Sequence, residues 1–273
     1  MTNSVRIGDL RAALESETSS LEDCALVIAR DAYPTLRAET YLERLDALAD
    51  RVVERLGRDS TASEATDALR ATLYAEAGLS GNREAFHDPR NSYLNDVLDR
   101  GLGIPISLAV VILAVSRRAG VLAEGIGFPG HFLVRIGGPG GHFADPFEDL
   151  TVLGAGDLER LAQRYVGARA KVSLSHLEPQ SNKAILVRML NNLRSIHEHR
   201  KDHRSALVVC DRLVELDVGA PAVRDRGLHA LALGAGRVAE ADLARYLSLA
   251  PTAPDRKEVE AALARASTLT ALN

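Results

Sequence analysis

The feature that most constrains the fold of this chain is a change of hydrophobic period within residues 101–145. A loop rich in Gly and Pro leads to Ser107, and the residues from there to Ala119 are apolar on nearly every side, which is typical of a helix buried in a core. Beyond Gly120 the apolar residues alternate with period two, which indicates short strands. The pattern therefore predicts an α+β fold, mainly helical, with a small sheet packed on a central helix.

Three strands are predicted after that helix, at Leu122–Phe128, His131–Ile136 and His142–Asp145. The glycines around Pro139 are a strong hairpin-turn signal between the last two strands, so we expect an antiparallel sheet. Alternation along the second strand places His131 on the face opposite to Phe132. His131 therefore need not lie on the buried side.

The sequence on both sides of this region has the period of amphipathic helices. The N-terminal side has such patterns at Tyr41–Leu56 and Ala65–Ala77. Five further helices are predicted toward the C-terminus, at Lys183–Arg200, Ser205–Leu216, Ala222–Leu233, Val238–Ser248 and Arg256–Ala266. Ala206 and Ala241 occupy matching positions 35 residues apart in two successive helix pairs, close to the period of tetratricopeptide repeats.

These patterns predict two domains. The first covers residues 1–180, with a helical part at 1–80 and the α+β core at 81–180. The second, at residues 181–273, is an array of helical repeats. Stacked helix pairs present extended surfaces, so we expect a protein or peptide partner to bind through the repeats.

Composition and charge exclude several classes of function. The net charge is −4 and tryptophan is absent, so neither the charge nor the stacking surface of a nucleic-acid-binding protein is present. The longest apolar run, Leu108–Val115, is too short to span a membrane, and Met1–Leu14 lacks the apolar segment of a secretory signal. Cys24 and Cys210 form no metal-binding or disulfide pattern. We therefore expect a cytoplasmic protein that binds neither nucleic acid nor membrane.

Three residues follow one another in the order that nucleophilic catalysis needs: Ser107, His131 and Asp145. A hydroxyl at a helix N-terminus lies beside backbone N–H groups that stabilise an oxyanion, an imidazole can act as its base, and a carboxylate can orient the imidazole. The structural alternative is that Ser107 caps the helix, that His131 stabilises a turn, and that Asp145 ends a strand before Pro146. Both interpretations stay open at this point.

Further polar and loop residues are weaker candidates. We expect Asn91, Asn95, Pro105 and Gly130 to line a pocket beside these three residues. Three histidines near a predicted turn, His197, His199 and His203, invite a metal-site interpretation, but a solvated helix end explains them better. We therefore predict no metal and no cofactor.

Longer motifs carry a family resemblance along nearly the whole chain. These motifs are Tyr41-Leu-Glu-Arg-Leu, Asp88-Pro-Arg-Asn-Ser-Tyr-Leu, Gly103-Ile-Pro-Ile-Ser-Leu, Gly130-His-Phe-Leu-Val and Arg188-Met-Leu-Asn-Asn-Leu. The chain resembles the SirB1 family, whose members have a transglutaminase-like core followed by tetratricopeptide-like repeats. The resemblance implies a cytoplasmic bacterial protein with a papain- or transglutaminase-like core, in which Ser107 lies close to the position of the nucleophilic Cys.

Two functions follow from this combination. The first is a protein- or peptide-binding or regulatory protein with a degenerate transglutaminase-like site, because a helix dipole activates a thiol far better than a hydroxyl. The alternative is an acyl-transfer hydrolase, such as an amidase, peptidase or esterase. In that enzyme Ser107 would attack the substrate, His131 would carry the proton and Asp145 would hold the imidazole.

Overall fold

The structure of the protein, a computed structural model, describes residues 10–272. The expectation about a secretory signal, at Met1–Leu14, therefore falls largely outside the described residues. The α-helices are α1 (Leu10–Glu15), α2 (Leu21–Ala32), α3 (Ala38–Val53), α4 (Ala62–Arg70), α5 (Leu94–Arg100), α6 (Pro105–Arg118), α7 (Ala155–Val166), α8 (Asn182–His199), α9 (His203–Glu215), α10 (Ala220–Ala232), α11 (Gly236–Leu249) and α12 (Arg256–Leu272). The strands are β1 (Ser80–Gly81), β2 (Leu102–Gly103), β3 (Ala123–Ile126), β4 (Leu133–Ile136), β5 (His142–Asp145) and β6 (Thr151–Leu153). Residues 12–186 fall in one unit and residues 187–272 in another.

The central helix of the first unit is α6. Its residues from Leu108 to Ile112 are completely buried, as the all-apolar sequence predicts. The helix begins at Pro105, not at Ser107, because Ile104 is the N-cap and proline suits the first helical position. The interpretation of Ser107 as the N-cap is therefore wrong. Ser107 is the third residue of α6, in its first turn, and its side chain accepts a hydrogen bond from the N–H of the N-cap Ile104.

The sheet of the first unit is an antiparallel meander in the order β3-β4-β5-β6, so the predicted α+β fold with a small antiparallel sheet is confirmed. Val134 faces Ala144 across the β4–β5 hairpin, and the glycine-rich turn between these strands has three glycines with positive φ. The strand β4 begins at Leu133, later than predicted, because the N–H of His131 donates to the carbonyl of Phe128 in a turn. The sequence pattern missed β6, which is only three residues long.

A short parallel pairing of β1 with β2 brings the loop after β1 to the start of α6. Ser80 and Gly81 pair with Leu102 and Gly103. The N–H of Asn82 then donates to the carbonyl of Gly103 at 2.9 Å. The polar residues after β1 are therefore held beside the N-terminal end of α6.

The second unit consists of helices, which agrees with the predicted repeats. Burial repeats at an interval of 33 residues: Ala206, Cys210 and Leu213 of α9 correspond to Ala239, Leu243 and Tyr246 of α11, and all six are buried. The predicted correspondence of Ala206 with Ala241 was wrong by two residues. The buried residue that matches Ala206 is Ala239, whereas Ala241 is exposed. No helix within residues 10–272 is long and apolar enough to cross a bilayer.

Candidate functional site

His131 and Asp145 form a buried pair in the first unit. Both carboxylate oxygens of Asp145 lie 2.9 Å from Nε2 of His131, so the N–H at this nitrogen donates to the carboxylate. The backbone N–H of Phe147 donates to the same carboxylate at 2.9 Å. The side chains of His131 and Asp145 are each only 3% exposed. The structure thus brings together two of the three residues proposed for nucleophilic catalysis, and their catalytic role stays a prediction.

Aromatic rings enclose the imidazole of His131. The ring of Tyr165, in the last turn of α7, stacks on it with the ring centroids 5.0 Å apart and the planes 15° from parallel. The ring of Phe147 meets it edge-on at 6.4 Å. Burial and the nearby charge of Asp145 raise the pKa of Tyr165, so its hydroxyl stays protonated. Phe147 in turn contacts Phe86, whose side chain is exposed.

The hydroxyl of Ser107 is hydrogen-bonded to backbone groups. Its Oγ lies 2.6 Å from the carbonyl oxygen of Asn91 and 3.1 Å from that of Ile104, and it accepts a hydrogen bond from the N–H of Ile104 at 3.0 Å. The residue is completely buried. The hydrogen bonds of this hydroxyl do not include His131, so the structure does not join Ser107 to the His131–Asp145 pair by a direct hydrogen bond.

Asn91 is part of the frame that holds Ser107. Its side-chain N–H groups donate to the carbonyls of Ala85 and Phe86, and its side-chain oxygen accepts from Asn82 at 3.0 Å. Asn91 is completely buried, so its amide is committed to the loop. That Asn91 lines a pocket stays a prediction.

The other predicted pocket residues have different environments. Asn95 is buried in the first turn of α5, and its side-chain oxygen has no hydrogen-bond partner within the described part of the chain. Pro105 is buried as the first residue of α6. Gly130 is exposed, with φ of +69°, in the turn that leads to His131. Whether Asn95, Pro105 and Gly130 line one pocket stays a prediction.

The sequence analysis missed two kinds of site residue. Tyr165 lies 34 positions after His131, near the exposed end of an amphipathic helix, and no sequence spacing connects the two rings. Phe147 follows Asp145 in Asp145-Pro-Phe, so its place beside the carboxylate could have been expected from that motif. Contacts made through tertiary folding, such as the Tyr165 stack, have no local sequence signal.

Comparison with known proteins agrees with this architecture. Residues 39–191 match the model of the transglutaminase-like superfamily, and residues 193–264 match a tetratricopeptide repeat model. The chain therefore has a transglutaminase-like domain followed by helical repeats of the tetratricopeptide class.

Relatives match over most of the chain. A UPF0162 protein of Xylella fastidiosa is 40% identical over 250 residues, which cover 88% of each protein. The protein SirB1 of Salmonella typhimurium is 25% identical over 232 residues, 84% of this chain and 85% of that protein. F-box only protein 21 of Mus musculus is 31% identical over 156 residues, 55% of this chain and 25% of that protein. The chain belongs to the UPF0162 family of transglutaminase-like proteins, and the resemblance to SirB1 is confirmed.

Proposed function

We propose that the chain is a regulatory protein that binds another protein or a peptide, and that its transglutaminase-like site has no working nucleophile. The observation that carries the proposal is the state of Ser107. A hydroxyl nucleophile needs a base within hydrogen-bond reach and access to its substrate. The Ser107 hydroxyl is instead buried and hydrogen-bonded to the backbone of Asn91 and Ile104.

The position of Ser107 at the start of α6 does not by itself make it a nucleophile. The amide groups and dipole of a helix N-terminus favour a developing negative charge, and a nucleophile there benefits most at the first residues of the helix. Ser107 is the third residue of α6 and lies in this first turn, but its hydroxyl is hydrogen-bonded to the backbone of Ile104 and Asn91. His131 and Asp145 pair with each other, whereas the Ser107 hydroxyl is bonded to backbone groups, which supports a site that does not carry out acyl transfer.

The repeats of the second unit are the proposed partner-binding part. Arrays of paired helices bind partners over extended surfaces. The second unit leaves several large apolar side chains exposed, and these are Val208, Val218, Leu228, Leu233, Val238 and Leu249. Exposed apolar side chains supply contact area when a partner covers them.

An activity-based probe tests the state of the nucleophile. Fluorophosphonates modify activated serines, and intact-mass spectrometry counts the adducts. We expect no adduct on the wild-type chain under conditions in which a known serine hydrolase is fully labelled. An adduct that disappears in Ser107→Ala would contradict the proposal and establish the alternative, an acyl-transfer hydrolase. The specific observation that favours this alternative is the 2.9 Å pairing of His131 with Asp145.

A second experiment tests binding through the repeats. Affinity purification from the source cells, with quantitative mass spectrometry, compares the wild-type chain with Leu233→Glu, Val238→Glu and Leu249→Glu. We expect one or more proteins to be enriched with the wild type and to fall at least tenfold with one of these variants. Leu122→Glu is the matched control, because Leu122 is an exposed leucine in the first unit. Equal recovery with all four variants would contradict binding through the repeats.

A further inference from the structure

Two histidines of the second unit meet across neighbouring helices. His203 is the first residue of α9, and His229 lies in the last turn of α10. Their Nδ1 atoms are 3.2 Å apart, and their rings are tilted by 46° with the centroids 5.4 Å apart. Two ring nitrogens this close can share a proton in a hydrogen bond, or can bind one metal ion that lies to the side of the line between them.

The separation of the nitrogens fits a common metal ion. Zinc binds imidazole nitrogen at about 2.0–2.1 Å in tetrahedral geometry, which places two such nitrogens about 3.3 Å apart. The observed separation of 3.2 Å between the two Nδ1 atoms is therefore close to the distance that binding to one ion requires. The same separation is at the upper end of the range for a hydrogen bond, so the distance fits both arrangements.

The other nitrogen of His229 faces a carboxylate. Its Nε2 lies 3.5 Å from Oε1 of Glu198, on α8, and has no hydrogen-bond partner within the described residues. Metal-binding histidines usually donate their second N–H to a carboxylate, which fixes the tautomer and strengthens the metal bond. Arg194 also approaches Glu198, at 3.9 Å, but its guanidinium is paired with Asp225.

We propose that His203 and His229 bind one transition-metal ion of the Zn²⁺ type between their Nδ1 atoms, with Glu198 as the carboxylate that orients His229. No group of three or more metal-ligating side chains converges within residues 10–272, so water fills the remaining positions of the ion. When the ion binds, the ring that carried its proton on Nδ1 changes to the Nε2–H tautomer. No net proton is released, and imidazole suits Zn²⁺, Ni²⁺ and Cu²⁺ alike.

Isothermal titration with Zn²⁺ tests the site on the full chain without a polyhistidine tag. We expect one ion per chain for the wild type, with affinity at least tenfold weaker in His203→Gln and in His229→Gln. Glu198→Gln is expected to weaken binding about tenfold, the lower limit for loss of an orienting carboxylate. His199→Gln is the matched control and should bind as the wild type does, because His199 is an exposed histidine at the end of α8.

A spectroscopic readout counts the imidazoles directly. The electron paramagnetic resonance spectrum of the chain with one Cu²⁺ should show coupling to two ring nitrogens in the wild type and to one in His203→Gln. His229 is buried, so His229→Gln risks misfolding. His203 is only partly buried, so His203→Gln keeps the test valid in that case. Wild-type Zn²⁺ affinity no tighter than that of His203→Gln, or a Cu²⁺ spectrum unchanged by that substitution, would overturn the proposal and leave a hydrogen-bonded histidine pair.

Discussion

Two serines of α6 are completely buried, yet their hydroxyls have opposite surroundings. Ser107 has three backbone partners, two from Ile104 and one from Asn91. Ser116, more than two turns further along, has no partner for its Oγ within the described residues. A buried polar atom without a partner costs free energy, whereas a bonded one stabilises the fold. On the same helix, therefore, the Ser107 hydroxyl stabilises the fold and the Ser116 hydroxyl does not.

Ser107→Ala should lower the free energy of unfolding by about 1–3 kcal/mol, because it leaves the buried N–H of Ile104 without its acceptor. Ser116→Ala should be neutral or slightly stabilising, because it removes a hydroxyl that has no partner. Urea denaturation followed by circular dichroism measures both variants. Equal destabilisation by the two substitutions would contradict a structural role for the Ser107 hydroxyl.

At the scale of elements, the turn between β3 and β4 fixes the position of His131 through its contact with α7. A Cβ atom added at Gly130 would lie 2.5 Å from Cβ of Tyr165, and Gly130 has φ of +69°. Only glycine therefore lets this turn approach α7 closely enough for Tyr165 to stack on His131. The burial of the imidazole depends on the fit between a turn and a helix, not on either alone.

Gly130→Ala should destabilise the first unit more than Gly120→Ala does. Gly120 has φ of +71° and nothing within 4 Å of an added Cβ, so its substitution reports only the cost of the left-handed conformation, about 1–2 kcal/mol. Gly130→Ala adds the clash with Tyr165 and should expose His131. Urea denaturation gives the stabilities, and diethyl pyrocarbonate reactivity of His131 gives its exposure. Equal stability loss, with His131 equally protected, would contradict the contact.

Several elements were predictable from local patterns, and others were not. The period of α6 and the glycine run before β5 are local signals, and the structure has both the helix and the hairpin. The start of α6 was misplaced because a serine before an apolar run can lie in the first turn of a helix as well as at its cap. Here Pro105, which suits the first helical position, precedes Ser107. Short β6 has too few residues for a period to be detected.

At the scale of the whole molecule, the residues that matter most are brought together over long sequence separations. The order Ser107, His131, Asp145 predicts a shared site, but only the fold decides which of them touch. The pairing of His203 with His229 over 26 positions has no spacing rule, since it depends on the antiparallel packing of α9 and α10. Local sequence therefore predicts helices and turns well and tertiary partners poorly.

The second unit also contains a histidine that makes its stability depend on pH. His197, on α8, is buried, and neither of its ring nitrogens has a hydrogen-bond partner within residues 10–272. Burial lowers the pKa of His197 below its ordinary value of 6.5, although Asp202 opposes the change. The folded chain then binds fewer protons at this ring than the unfolded chain, so stability rises with pH. The stabilising contribution is complete above pH 6.5 and is lost as the pH falls from there through the lowered pKa.

His197→Leu should therefore reduce the loss of stability between about pH 7.5 and pH 5.5, with little change at pH 7.5, because leucine needs neither protonation nor a hydrogen-bond partner. Urea denaturation of the full chain across this range, with hydrogen exchange of α8 to identify the unit that unfolds, measures the effect. His199→Leu, at an exposed position on the same helix, controls for the removal of an imidazole. If the wild type and His197→Leu lose the same free energy of unfolding over this range, the buried ring is not the group that senses pH.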